Sequence, residues 1–318
     1  MSDLDYNISR LLSGKTICNL AGEAVYIAYP SPQDFVYINR IINLVRGEAI
    51  RGENLSSDQI FDYLINQEIW DLKREEELER LPALIENLKV DLYQAYTTFK
   101  KRDVIKKKIQ TTKERLAKLT EERHILDDYT TDGITNFIKS SYIIGTGVHR
   151  MNGERIWDYN SFLLCDFSIL SSLTRQYSRQ LLGDEEIRTI SKNSRWRSLW
   201  SISKNPKDIF EIPSLGYLSD EQRVLVVWSQ TYDSIYNHQE CPPDEVIEDD
   251  DMLDGWLILQ NRKRKQANKV ETTVELNKPG HQDVFIMVEN PDDVGRVNAM
   301  NDAKGKLLKK NILKKAGV

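Results

Sequence analysis

The sequence predicts a mainly α-helical protein with a small N-terminal β-hairpin, a long charged helical hairpin or coiled-coil segment, and a helical C-terminal half. Strict alternation of apolar and polar residues is confined to one short stretch near the start. Elsewhere apolar residues recur every three or four positions, as on one face of a helix. Hydrophobic residues make up 40% of the chain, so it can build folded cores despite its polar average.

The first predicted segment, residues 1–55, combines a β-hairpin with an amphipathic helix. An Ala-Gly turn separates residues 16–20 from residues 23–29, and Val25, Ile27 and Tyr29 alternate as in a half-buried strand. After Pro-Ser-Pro the spacing changes and predicts a helix over residues 33–45. The apolar positions of that helix are Phe35, Ile38, Ile41, Ile42 and Val45.

The second predicted segment, residues 56–130, is a long charged helical or coiled-coil tract. Ser56 begins it as a candidate helix N-cap, and Pro82 fits the first turn of a new helix. An apolar stripe along its second half consists of Ile105, Ile109, Leu116, Leu119 and Leu126. The preceding apolar series runs in a shifted phase, which favours packing against several neighbours over one uniform coiled coil. The sequence leaves open whether these helices pair within or between chains.

Residues 131–265 are predicted to form a helical domain, and residues 266–318 a linker and a basic tail. One helix begins at Ser219, which forms a capping box with Gln222. We expect its buried face to contain Val224, Val227, Trp228, Tyr232, Ile235 and Tyr236. Six lysines mark the tail: Lys304, Lys306, Lys309, Lys310, Lys314 and Lys315.

Composition restricts the class of protein more than its activity. The net charge of -5 arises from 44 basic and 49 acidic residues, so the total favours neither a nucleic-acid nor a membrane role. Cys18, Cys165 and Cys241 are far apart and lack CxxC spacing, which indicates free thiols in a reducing compartment. The sequence also shows neither a signal peptide nor an apolar run that would span a bilayer. We expect a cytoplasmic protein with no membrane partner.

Catalytic and metal-binding patterns are weak. The four histidines lie in separate segments without zinc-ligand spacing. The acidic run 248–251 with Asp254 lacks the alternation of a calcium loop, and a helix N-terminus explains it better. Gly145-Thr146-Gly147 is a lone GxG motif that lacks the third glycine of a phosphate loop. We therefore predict no cofactor, no metal and no enzymatic activity.

The stretch from Cys241 to Lys265 is the most informative part of the sequence, because an acidic block, a tryptophan and a basic block follow one another. Acidic residues at the start of a helix and basic residues near its last turns would complement the helix dipole. The stretch also predicts a docking surface for a protein partner. Its candidate partner-binding residues are Asp249, Asp250, Asp251, Asp254, Trp256, Arg262, Lys263, Arg264 and Lys265.

Nucleic-acid binding is the alternative function. A basic strip along the charged helix and the lysine-rich C-terminal tail could neutralise phosphates, although lysine runs on long helices are most often solvated faces. Its residues are Lys100, Lys101, Arg102, Lys106, Lys107 and Lys108. No RNA-binding or helix-turn-helix signature accompanies the strip.

The order of segments resembles proteins of tailed bacteriophages. The stretch AVYIAYPSPQDF resembles the start of many tail assembly chaperones, and the middle and C-terminal stretches, such as LSDEQRVLVVWSQTYDSIYNHQECPPDEVIEDDDMLDGWLILQNRKRK, are similar to tail-region or assembly proteins of large phages. The resemblance implies a non-enzymatic role in the host cytoplasm, coating the helical tape-measure protein during tail assembly. It also allows a structural virion subunit. Implied partners are tape-measure, tail or virion proteins, and a homo-oligomer is possible.

Overall fold

The computed structural model of the chain describes residues 3–276, leaving aside the side chains of Leu163 and of residues 267–276. It confirms the mainly α-helical class with a small antiparallel sheet near the N-terminus. In chain order the elements are α1 (Asp3–Ser13), β1 (Lys15–Leu20), β2 (Glu23–Ala28), α2 (Pro32–Arg51), α3 (Ser57–Asn66), α4 (Leu72–Gln94), α5 (Phe99–Arg123), α6 (Thr131–Thr146), β3 (Val148–Arg150), α7 (Phe167–Ser178), α8 (Asp184–Lys192), α9 (Ser194–Ser203), α10 (Pro206–Ile209), α11 (Asp220–Tyr236), α12 (Asp244–Glu248) and α13 (Asp250–Leu276).

The chain forms two compact units that are not consecutive in sequence. Unit 1 contains Met1–Arg80 and Glu114–Pro242, and unit 2 contains Leu81–Lys113 and Pro243–Val318. The chain passes between the units within α4 and again within α5. The division into the segments 1–55, 56–130, 131–265 and 266–318 stays a prediction, and α13 continues to Leu276 within the predicted linker. The six tail lysines lie outside the described residues.

In unit 1 the predicted hairpin forms from β1 and β2, and the short strand β3, which the sequence pattern does not predict, pairs with β2. Ala21 and Gly22 both have positive φ, 50° and 95°, as the tight turn of a two-residue hairpin requires. Val25 lies opposite Cys18 on one side and Arg150 on the other. A three-residue strand is too short to give a periodic signal, because its position depends on pairing with β2.

Helix starts follow the local sequence closely. Ser31, Ser56 and Ser219 each accept a hydrogen bond from a backbone N–H three residues on, and each forms a capping box. The N-cap predicted at Ser56 and the capping box predicted at Ser219 are therefore confirmed. Pro82 lies inside the continuous helix α4 and does not begin a new helix there.

The buried core of unit 1 consists of two apolar clusters rich in aromatic side chains. Trp196 and Trp200 are 0% and 1% exposed and stack in the first cluster. The second cluster lies against the sheet and contains Val25, Ile38 and Phe162. Between α1 and α11, Arg10 donates two hydrogen bonds of 2.8 and 2.7 Å to the Glu221 carboxylate, and the two side chains are 4% and 13% exposed.

The predicted buried face of α11 is wrong in part. Val227 and Tyr236 are 58% and 52% exposed, whereas the polar residues Gln222 and Ser229 are buried. Hydrogen bonds explain this exchange, because the Gln222 side chain donates to the Leu11 carbonyl and Ser229 Oγ accepts from the Trp196 indole. A hydropathy pattern alone cannot identify polar residues that are buried with partners.

In unit 2 a smaller apolar cluster joins α4, α5, α12 and α13. Its buried residues are Leu92, Ala95, Ile105, Ile109, Val246 and Met252. Gly255 allows α13 to approach α4 closely, because a Cβ there would lie 2.0 Å from the Lys89 carbonyl oxygen. The predicted stripe residues Ile105 and Ile109 are both buried, at 7% and 1% exposure.

Candidate partner-binding surfaces

The acidic block at the start of α13 pairs with lysines of α4 and α5 within unit 2. Asp254 lies 2.6 Å from Lys89 Nζ, and Asp251 lies 3.2 Å from Lys89 Nζ and 3.0 Å from Lys113 Nζ. Asp249 pairs with Lys106. We call these six residues, Lys89, Lys106, Lys113, Asp249, Asp251 and Asp254, the charge seam.

Partial burial strengthens the seam. The side chains of Lys89 and Asp254 are 17% and 21% exposed, so solvent screens their charges less than on an open surface. Burial lowers the pKa of Lys89, but its bond to Asp254 and the charges of Asp254 and Asp251 outweigh this and leave the pKa raised. Burial likewise raises the pKa of Asp251, but Lys113 and Lys89 reverse that effect and leave it lowered. The charged forms of both groups are thus favoured.

A further ion pair, outside the charge seam, joins α5 to α12. Arg102 pairs with Glu245 and donates a further hydrogen bond of 3.1 Å to the Tyr96 carbonyl. Asp249 also accepts a bond of 3.0 Å from the backbone N–H of Met252, which caps the first turn of α13. These carboxylates therefore orient helices within unit 2 as well as neutralising its lysines.

The other predicted partner-binding residues differ in exposure. Trp256 is 2% exposed, so its ring belongs to the interior of unit 2. Arg262, Lys263, Arg264 and Lys265 are exposed. Arg262 donates a bond of 2.9 Å to Asn87. These four basic residues lie in the middle of α13 and not in its last turns, so the dipole explanation for them is wrong. A docking role for this set stays a prediction.

The predicted nucleic-acid strip divides into two groups. Arg102 and Lys106 face α12 and the start of α13, where they pair with carboxylates. Lys100, Lys101, Lys107 and Lys108 are exposed. Because an α-helix has 3.6 residues per turn, neighbouring basic residues of α5 lie on two different faces of the helix.

Unit 1 carries a different kind of surface, in which large apolar side chains face solvent. Phe137 on α6 and Phe167 at the start of α7 are 55% and 65% exposed, with ring centroids 6.4 Å apart. Leu164, shortly before α7, is 88% exposed. Phe167 lies in the apolar run of residues 162–170, which by hydropathy alone resembles a core segment, so the sequence pattern does not reveal this surface. We call Phe137 and Phe167 the aromatic pair.

Helix α2 also leaves apolar residues exposed. Val36 and Leu44 are 73% and 58% exposed and line an open hollow of about 520 Å³ with Asn39, Arg40 and Asn43. A second hollow of about 760 Å³ lies at the C-terminal end of α2, where Ile50 and Leu55 line it with Thr131 and other residues. Both hollows are open to solvent rather than enclosed.

Several histidines and cysteines have surroundings that the structure describes. Among the described residues, no cluster of three or more His, Cys, Asp or Glu side chains could hold a metal ion. Burial raises the pKa of the Cys18 thiol to about 11 and also raises the pKa of Cys165. His124 and His149 contact Asp127 and the Gly147 carbonyl respectively. His281 lies outside the described residues.

The GxG motif has a packing explanation. A Cβ at Gly145 would lie 1.9 Å from the Phe162 ring, and one at Gly147 would lie 2.5 Å from the Ala28 carbonyl oxygen. These glycines allow α6 and the following strand to pack closely against their neighbours.

Comparisons with known proteins give no match: no family model matches the chain, and neither a curated protein nor a solved structure matches it. Within residues 3–276, none of the helices combines the length and the apolar character needed to cross a membrane.

Proposed function

We propose that the chain is a non-enzymatic assembly factor that acts through protein–protein contacts. Following its resemblance to tail assembly chaperones of tailed bacteriophages, its partner is a tape-measure protein or another tail component. The observation that carries the proposal is the exposed aromatic pair of unit 1, at 55% and 65% exposure. The identity of the partner rests on the resemblance alone.

The aromatic pair suits recognition of an apolar helix. Large aromatic side chains bring much contact area with few rotatable bonds, and they are enriched among the residues that dominate binding energy. Because the ring centroids are 6.4 Å apart, the two exposed phenylalanines form one apolar patch, the kind of surface that interaction sites use. A helix of the partner could place its apolar residues against these rings.

The charge seam is a less favourable docking surface than the aromatic pair. Its carboxylates are engaged with Lys89, Lys106 and Lys113, so a partner that bound them would first have to break these internal ion pairs. Breaking a partly buried pair leaves a charge without compensation and costs free energy. The aromatic pair carries no such cost, which makes it the better docking surface.

Co-expression with the tape-measure protein encoded by the same genome tests the proposal. The double variant Phe137→Ser with Phe167→Ser should lose co-purification of that protein and leave it insoluble, while wild-type chain keeps it in solution. Ile125→Ser with Ile202→Ser is the matched control, because these apolar side chains are 63% and 82% exposed elsewhere in unit 1. The control should retain wild-type capture.

Two outcomes would contradict the proposal: equal capture by both double variants, or no capture of any tail component by the wild-type chain. Far-UV circular dichroism checks that both variants fold. Both should unfold at wild-type urea concentrations, because exposed substitutions change stability by about 0.5 kcal/mol or less.

A further inference from the structure

Helix α5 distributes its basic residues between an inner and an outer face. Arg102, Lys106 and Lys113 turn inward to carboxylates of α12 and α13. The four remaining lysines, Lys100, Lys101, Lys107 and Lys108, are exposed and form no ion pair within the described part of the chain. We call these four residues the lysine face.

The helical period sets the spacing of the lysine face. Its two lysine pairs are separated by seven residues, which corresponds to two turns and about 10 Å along the helix axis. Val104, 54% exposed, lies between the pairs. Asp103 is an exposed carboxylate at the edge of this face, so the four ammonium groups retain a net positive charge. A solvated lysine face of this kind attracts a polyanion.

We propose that the lysine face binds the phosphate backbone of a nucleic-acid duplex without reading its sequence. The separation of the two lysine pairs is close to the width of a duplex major groove, about 12 Å, so the pairs can reach phosphates on both of its edges. Lysine binds phosphate as a point charge on a flexible side chain and needs no fixed geometry. The other outward residues, Val104 and Thr111, cannot make the bidentate contacts that identify a base.

An acidic protein helix fits the lysine face less well. Helix pairing requires a continuous apolar seam that charged residues flank. On this face Val104 is a lone apolar residue, and Thr111, one helical repeat further along α5, is polar. Phosphate contacts need no apolar core, because counterion release supplies the driving force. The inference does not depend on the aromatic pair, which lies in unit 1.

The salt dependence of duplex binding tests the inference. A short fluorescent duplex of mixed sequence is titrated with the full chain at several NaCl concentrations, and the observed association constant is plotted on logarithmic axes. Replacing all four lysines of the face with glutamine should reduce the magnitude of the salt slope by about 3–4, close to one unit for each lysine. The C-terminal lysines remain in every variant, so the change in slope reports α5 alone.

A matched control removes the same charge elsewhere. Lys15, Lys73, Lys139 and Lys207 are exposed outside the lysine face, and their replacement by glutamine should leave the slope near the wild-type value. Far-UV circular dichroism confirms that both quadruple variants fold. Equal slopes for the two variants would overturn the inference. So would absence of duplex binding by the wild-type chain, or binding of polyglutamate as tight as that of the duplex.

Discussion

The two units use charge differently. In unit 1 one bidentate ion pair, Arg10 with Glu221, is nearly withdrawn from solvent beside a core of tryptophans. In unit 2 several ion pairs of the charge seam surround a smaller apolar cluster and remain partly exposed, as Lys106 does at 41%. Buried pairs are barely screened by salt, whereas partly exposed pairs are screened. Added salt should therefore weaken the pairs of the charge seam more than it weakens the Arg10–Glu221 pair.

The tryptophans provide a way to observe the units separately. Trp256 is the one tryptophan of unit 2, and the other five lie in unit 1. Incorporation of 5-fluorotryptophan would give each unit its own fluorine resonances, so urea unfolding of each can be followed in the full chain. The predictions below use this measurement.

The largest effect is expected from breaking the buried pair of unit 1. Arg10→Met leaves the Glu221 carboxylate with its bond from the Leu182 N–H but without a counter-charge. The free energy of unfolding of unit 1 should fall by about 3–5 kcal/mol. The control, Arg10→Met with Glu221→Leu, should recover most of this loss because no charge is left buried. If the single variant matched wild type, the pair would not stabilise unit 1.

A smaller but more specific effect is expected from charge reversal in the seam. Asp249, Asp250 and Asp251 replaced by lysine would face Lys106 and Lys113, and the first turn of α13 would lose its negative charge. If these residues formed a free docking surface, this variant would keep its fold and lose only its partner. The structure instead predicts a loss of about 2–3 kcal/mol from unit 2, from lost pairs and an unfavourable helix dipole.

Reversal of three exposed acidic residues of unit 1 is the matched control. Glu76, Glu79 and Glu121 are exposed, and their replacement by lysine should leave the Trp256 resonance with its wild-type unfolding midpoint. An unchanged midpoint for the seam variant as well would show that the internal pairs do not hold unit 2 together.

The charge seam also predicts that the free energy of unfolding of unit 2 depends on pH. The pKa of Asp251 is lowered in the folded protein, so its contribution to stability is present above the unfolded pKa and is lost as pH falls through the folded value. Asp251→Asn should destabilise unit 2 by about 0.5–1 kcal/mol near neutral pH. This difference from wild type should shrink below about pH 4, where the unfolded carboxylate takes up its proton. A difference that stayed constant down to pH 2 would contradict the ion-pair origin.

Local signals in the sequence predict much of the fold. The Ala-Gly turn specifies the hairpin, and serine caps mark the starts of α3 and α11, because these features depend on neighbouring residues. The stripe through Ile105 and Ile109 identifies the buried side of α5. Strand β3 is not predicted, because its three residues are fixed by pairing with β2 and not by their own pattern.

The candidate surfaces are predicted less well than the fold. The acidic block stands out in the sequence, but its partners lie on α4 and α5. Lys113 and Asp251 are 138 positions apart, and no local pattern encodes such a contact. One signal does hint at it: Lys106 and Lys113 are seven residues apart and flank the buried stripe, as charges beside a helix interface do. The sequence does not reveal the aromatic pair, because an apolar run such as residues 162–170 has the same pattern whether its side chains are buried or exposed.

A double-mutant cycle on Lys113 and Asp251 tests the central claim most directly, namely that the acidic block at the start of α13 pairs with lysines of α4 and α5 inside unit 2. Lys113→Gln, Asp251→Asn and the double variant are unfolded in urea, and the Trp256 resonance is followed at low and high NaCl. We predict a favourable coupling free energy of about 0.5–1 kcal/mol at low salt that decreases as salt is added. A coupling of zero at low salt would contradict the account and return the acidic block to the set of free docking surfaces.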